Sequence, residues 1–270
     1  MLRSMNRIIT LTLILSLISV GFYRAQGQSS QTITRQWTVD GVTREAMIYI
    51  PASAKSSPTP VIFLFHGHGG NMKEIFKYHN FTSLWPEAIV VSPQGLKTPG
   101  QLVDREGNFP GWQQTPGDQN DRDIHFFDEI LRSLTTDYKV DKKHIYATGH
   151  SNGGSFTYLL WAMRNDDFAA VAPSAAVAFR FNDQLKPKPV MHIMGENDQL
   201  VKTAWQKKQI DWLFTLNKCS TQGQPYSKFA VLYPSSLKTP VVVYTHPGAH
   251  IFPADADTAV VRFFKENPHQ

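Results

Sequence analysis

The chain is nearly without cysteine: Cys219 is the only one in 270 residues. No internal disulfide can form, so the fold has to stand on its core. No motif surrounds Cys219, which fits a buried or loop cysteine better than a nucleophile. Charge is sparse as well, at 18% against a usual value of about 25%. No dense Lys/Arg stripe occurs, so a nucleic-acid partner has no electrostatic support. There is no internal repeat and no low-complexity tract. No apolar run reaches the roughly 20 residues that a membrane-spanning helix needs.

The longest apolar run, Ile8 to Phe22, has a different layout. Arg3 and Arg7 come before or at its start, no acidic residue occurs before Asp40, and small residues follow at Ala25 and Gly27. This is the pattern of a secretory signal peptide, with cleavage expected after Gly27. The expected organisation is a signal peptide over 1–27 and one catalytic domain over 28–270, with no membrane contact after cleavage. Setting aside Arg3, Arg7 and Arg24 lowers the formal charge from +5 to +2.

Strand and helix signals alternate along the rest. Thr32–Val39 and Glu45–Ile50 flank Asp40-Gly41 and read as an antiparallel hairpin. The apolar run Val61–Phe65 reads as a strand buried on both faces of a parallel sheet. Ala88–Val91, His144–Thr148, Pro189–Met194 and Val241–Tyr244 follow it. Helices are expected over Asp121–Tyr138, with Asp121 or Asp123 as the cap, and over Asn152–Arg164, Ala204–Leu216 and Thr258–Lys265. The alternation predicts an α/β fold with a mostly parallel central sheet and helices on both faces. Gly95–Asn120 and Asn217–Pro240 resist assignment. Connections of that length are uncommon unless functional.

The strongest chemical signal is Gly149-His150-Ser151-Asn152-Gly153-Gly154, between a predicted strand and a predicted helix. G-x-S-x-G in that setting is a nucleophile elbow: a sharp turn that exposes Ser151 at the top of the sheet. Gly149 and Gly153 remove side chains that would collide with the neighbouring strand and helix. The N–H of Asn152 can face a developing oxyanion. His66-Gly67-His68-Gly69-Gly70 follows the strand Val61–Phe65. The loop at this place supplies a second oxyanion donor, here the backbone N–H of His68. A His-x-His metal pair would need further ligands close by, and Gly69, Gly70, Asn71 and Met72 offer none.

A serine hydroxyl needs a base, and the base needs an orienter. Chain order in this fold is Ser, then acid, then His. Asp198, just past the strand Pro189–Met194, is the first choice of acid, with Glu196 its rival. His250 is the first choice of base, with His246 its rival nearer the strand end. Trp112, in the first long loop, either walls a substrate or anchors the loop. With His150 and Phe252 it completes the candidate substrate-binding residues. Asn80-Phe81-Thr82 fits a glycosylation acceptor, relevant only in a eukaryotic secretory pathway.

Together these motifs resemble the secreted esterases that include feruloyl esterases of carbohydrate esterase family 1 and polyhydroxybutyrate depolymerases. The matching stretches run from about Val61 to Pro253. The resemblance implies an α/β-hydrolase fold, a Ser151–Asp198–His250 triad, oxyanion donors at His68 and Asn152, and no cofactor or metal. Two departures stand out. Many relatives have Cys where His68 stands. The family's usual Gly-Gly-Gly-His-x-Trp-Pro is here Pro-Gly-Ala-His-Ile-Phe-Pro, with Phe252 in place of Trp. The expected substrate is a feruloyl or related plant cell-wall polysaccharide ester. Polyhydroxyalkanoate is the alternative, since its depolymerases often carry an extra binding module that this chain has no room for. A serine peptidase of prolyl-oligopeptidase type shares the triad order but usually has Tyr at the position of Asn152. A non-catalytic carbohydrate-binding protein would not need the intact Ser, Asp and His.

Overall fold

The computed structural model describes residues 29–269. The expected signal peptide lies outside the described residues. In chain order the elements are β1 (Gln31–Val39), β2 (Val42–Ile50), β3 (Thr59–Phe65), α1 (Met72–Tyr78), α2 (Phe81–Leu84), β4 (Ile89–Pro93), β5 (Leu96–Lys97) and β6 (Pro110–Gly111). Then come α3 (Arg122–Asp137), β7 (Val140–His150), α4 (Asn152–Met163), β8 (Ala170–Ser174), β9 (Val190–Gly195) and α5 (Thr203–Leu216). The chain ends with β10 (Gln224–Ser227), β11 (Ala230–Tyr233), β12 (Val241–His246) and α6 (Asp257–Glu266).

Ten strands form one sheet in the order β1-β2-β4-β3-β7-β8-β9-β12-β11-β10. The six strands from β4 to β12 run parallel. β1–β2 closes one edge and β11–β10 the other, both antiparallel. The first hairpin turns on Asp40 and Gly41, both at positive φ. That is the two-residue geometry that matches strand twist, and Asp-Gly favours it.

Pleating divides the core into two layers. Along β3, Val61, Phe63 and Phe65 enter the layer beneath α3, α4 and α5. Ile62 and Leu64 enter the opposite layer with Phe81 of α2 and Phe263 and Phe264 of α6. Each such side chain, once fully buried, stabilises by roughly 1.5–3 kcal/mol. Among the described residues no helix is long and apolar enough to cross a membrane. Cys219 is a half-buried free thiol beside an isolated bridge to Ser235.

The structure adds elements absent from the sequence reading, among them the short helices α1 and α2 and the β5–β6 pair within the 95–120 loop. β8, with the sequence Ala-Val-Ala-Pro-Ser, was not expected, because alanine and proline carry little strand preference. Its full burial between β7 and β9 decides the matter. Part of the second unassigned segment is the β10–β11 hairpin. The start of α3 is not capped by Asp121 or Asp123. Gln113, from the long loop, accepts from the N–H groups of Asp123 and Ile124 at 3.2 and 3.4 Å. Asp123 is occupied otherwise. It pairs with buried Arg44 at 2.8 Å and accepts from Gln113 N at 2.8 Å. Removing either ion would strand the other in the core.

Two buried histidines, His66 and His192, and half-buried His150 make this fold acid-sensitive. Desolvation is the largest cause in each case and lowers His66 and His192 from 6.5 to about 4 and His150 to about 3. The unfolded chain therefore binds protons near pH 6.5 that the folded chain refuses. Stability is full above that pH and is lost as pH falls toward 4, by about 3 kcal/mol for each histidine. Melting temperature measured from pH 7 to 4 should drop steeply below pH 6. A flat profile would contradict the burial of these rings.

Candidate active site

Ser151 sits between β7 and α4 at φ 55 and ψ −118. A non-glycine residue rarely adopts such a conformation. It is held by Ser151 N donating to Ser174 O at 2.8 Å and by Ser155 N donating to Ser151 O at 2.8 Å. The flanking glycines are obligatory on steric grounds. A Cβ on Gly153 would lie 2.4 Å from the Phe65 carbonyl oxygen, and one on Gly149 would lie 2.6 Å from that of Gly153. The elbow can thus press directly on the end of β3.

The hydroxyl of Ser151 lies 2.8 Å from His250 Nε2, and His250 Nδ1 lies 2.8 Å from Asp198 Oδ2. The three side chains come from the carboxyl ends of β7, β9 and β12. Asp198 is 1% exposed. Four N–H groups converge on its carboxylate. Leu200 and Val201 donate to Oδ1 at 2.9 and 3.0 Å, and Gln206 donates to Oδ2 at 3.0 Å beside His250. The rivals are elsewhere. Glu196 is exposed. His246 is buried in the end of β12, where its Nδ1 accepts from Gly248 N at 3.1 Å.

The long loop over 95–120 braces both expected oxyanion donors. Trp112 N donates to Asn152 Oδ1 at 2.7 Å, and Asn152 Nδ2 returns a bond to Trp112 O at 3.0 Å. This two-point clasp fixes Asn152 at the first turn of α4, where its backbone N–H has no partner within the helix. Trp112 Nε1 donates to His66 O at 2.8 Å, and its ring stacks on Phe156. Gly69 N donates to Pro110 O at 2.7 Å. His68 Nε2 meets Asp104 Oδ2 at 2.9 Å. Desolvation would raise the Asp104 pKa. The N–H of Asn108, the His68 ring and the N–H of Phe109 outweigh it and bring it to about 2.

Trp112 is therefore not a substrate wall. It is fully buried, and the anchoring role holds. Phe252 is also 4% exposed and leans on the His79 ring at 4.2 Å, so it backs a cavity without offering an open face. His150 lies with its ring 4.7 Å from that of His250, and its Nδ1 is buried without a partner. The two histidines of the His-x-His sequence do not converge on a common point. His66 donates from Nδ1 to Gly67 O and accepts at Nε2 from Gly95 N, while His68 turns to Asp104. Among the described residues no cluster of three His, Cys, Asp or Glu could hold a metal ion.

Two cavities flank the site. One of 380 Å3 is bounded by His68, Ser151 and Asn152 and walled by Val103, Phe181 and Trp205. The other, of 660 Å3, is bounded by Gly67, His150 and His250, with Glu74, Lys77 and Tyr78 at its side. Both lie in the usual size range of ligand pockets.

Fold and site together define an α/β-hydrolase of the serine-hydrolase type. No family model matches the sequence. Feruloyl esterase C of Emericella nidulans is 30% identical over 222 residues, covering 77% of this chain and 74% of that protein. The chain belongs to the feruloyl esterase family. It spans about half the length, or less, of other curated relatives: 49% of an esterase from Nocardia uniformis and 24% of a bifunctional acetylxylan esterase/xylanase from Neocallimastix patriciarum. Among solved structures, the feruloyl esterase module of Clostridium thermocellum complexed with sinapinate superposes with a TM-score of 0.62 at 15% identity, over 90% of this chain and 91% of that one. It shares the fold.

Proposed function

We propose that this protein is an exported serine esterase that releases feruloyl or related acids from plant cell-wall polysaccharides. The observation that carries the reading is the unbroken series from the Ser151 hydroxyl through His250 to Asp198, at 2.8 Å for each step. His250 takes the Ser151 proton as the oxygen attacks the ester carbonyl. The oxyanion forms against the N–H groups of His68 and Asn152. The positive end of α4 favours the same charge. His250 then protonates the departing alcohol, and water repeats the sequence to free the acid from Ser151.

The two cavities suit the two halves of such an ester. The cavity that Ser151 shares with both oxyanion donors takes the acyl group, and its apolar walls match an aromatic acid. The leaving oxygen has to face His250, so the alcohol lies in the larger cavity. There Tyr78, 56% exposed, offers a ring face and Glu74 offers hydrogen-bond acceptors to a sugar. What supports the substrate class is this pair of cavities and the likeness to the Emericella feruloyl esterase.

The deciding measurement is mass spectrometry of products from methyl ferulate, feruloylated arabinoxylan, polyhydroxybutyrate and peptide anilides. Ferulate should be released from the first two. Hydroxybutyrate as the sole product would replace the substrate class, and cleavage of anilides alone would replace the reaction.

A further inference from the structure

Behind Asp198 lies a chain of buried polar groups with only one consistent arrangement of protons. Gln206, on α5, is fully buried. Its Nε2 donates to Asp198 Oδ2 at 3.0 Å and to the Val201 carbonyl at 2.7 Å. Two acceptors on that side identify it as the NH2 end. Gln206 Oε1 then faces His192 Nε2 at 3.2 Å. An amide oxygen only accepts, so His192 carries its proton on Nε2. His192 Nδ1 is left with a lone pair, 2.7 Å from the Tyr158 hydroxyl, which must donate. Burial agrees with this assignment. It lowers His192 to about 4 and raises Tyr158 well above its ordinary value, so the ring is neutral and the phenol keeps its proton.

None of the three residues borders either cavity, so none can touch substrate. We infer that Tyr158, His192 and Gln206 form a positioning relay that holds Asp198 Oδ2 and, through it, the Nδ1–H form of His250. The inference rests on the esterase reading of Ser151, His250 and Asp198. Its physical content is that the amide is bistable. If His192 carried its proton on Nδ1, its Nε2 lone pair would face Gln206 Oε1. The amide would then turn, aiming Oε1 at the Asp198 carboxylate and at the Val201 carbonyl. Asp198 would lose a donor and gain a repelling oxygen. The Tyr158 hydroxyl opposes this from three links away: it could accept from His192 Nδ1–H, but its own buried O–H would then lose the acceptor it has at 2.7 Å. A buried network of this kind acts as a unit, so deletions within it should not add.

The test is a double-mutant cycle on kcat and KM with p-nitrophenyl acetate. Tyr158→Phe keeps the ring and removes only the hydroxyl. It should lower kcat about tenfold with KM unchanged, and Gln206→Leu about 30- to 100-fold, comparable to the loss of other residues that orient a reactive group indirectly. The double variant should be no slower than Gln206→Leu alone, because without the amide the hydroxyl has nothing to control. If Gln206→Leu does not fold, the cycle of Tyr158→Phe with His192→Gln replaces it, and the N–H donor of the introduced amide should retain more kcat than His192→Leu does. An unchanged kcat in Tyr158→Phe, or effects that multiply independently, would overturn the relay and leave the esterase reading intact. A wild-type protein that neither turns over ester nor reacts with a fluorophosphonate would overturn the reading, and the relay with it.

Discussion

Ser151→Ala should lower kcat for ester turnover by on the order of 10⁶ while the fold survives. The size of the effect follows from what the hydroxyl does: it lies 2.8 Å from His250 Nε2 and borders the same cavity as His68 and Asn152. The survival of the fold follows from the backbone. Alanine keeps the Cβ that serine already places at φ 55, so the strain of the elbow does not change. The only side-chain bond lost is the one to His250, on a partly exposed residue. Activity above that of water should remain, because the oxyanion donors still polarise a bound carbonyl. Turnover of methyl ferulate and labelling by a fluorophosphonate check this together. The variant should keep only that residual turnover and take no label, with a melting temperature close to that of the parent. If the label still attaches, the nucleophile lies elsewhere.

The parts legible in the sequence were those set by local pattern. Val61–Phe65 could be read as a central strand because every residue is apolar, and the Asp40-Gly41 turn because its chemistry is specific. The elbow was legible because Gly149 and Gly153 are forced by contacts with β3 and α4. Chain order narrows the acid to Glu196 or Asp198 and the base to His246 or His250, and the Gly-Ala turn favours His250; the 2.8 Å distances join Ser151, His250 and Asp198. What stayed hidden was set by long-range partners. Nothing in the neighbourhood of Gln113 says that it caps a helix ten residues on, or that Asp123 is reserved for Arg44. Trp112 in a Gly- and Gln-rich loop looks like an exposed aromatic. Its burial depends on Phe156 and the His66 carbonyl, which are 40 or more positions away. Tyr158, His192 and Gln206 read as two core positions and a helix polar residue. Only their meeting behind Asp198 gives them a shared role. The signal that could have flagged them was a lone histidine within an otherwise apolar strand, Val190–Gly195, where an unpaired polar ring would be costly.

Asp198→Asn should be the second most damaging single change, and the reason lies in the count of donors around it. The carboxylate receives four N–H groups, two on each oxygen. An amide offers one accepting atom and one donating group. With its oxygen toward Gln206 and His250, its NH2 would face the fixed N–H groups of Leu200 and Val201, which cannot turn. The opposite orientation is therefore preferred, with the NH2 toward His250 and Gln206. Gln206 can adapt by turning its own amide, at the loss of its bond to Val201 O. His250 can adapt only by moving its proton from Nδ1 to Nε2. In that tautomer the nitrogen facing Ser151 is already protonated and cannot act as base. The expected loss is about 10⁴ in kcat, with little change in KM. Stability should fall by about 1–3 kcal/mol from the imperfect pairing. Glu196→Gln, on an exposed side chain two positions away, should stay near the parent in both respects. Steady-state kinetics and thermal melts of the two variants side by side separate the candidates. An active Asp198→Asn beside an inactive Glu196→Gln would mean that the carboxylate supporting His250 in solution is the other one.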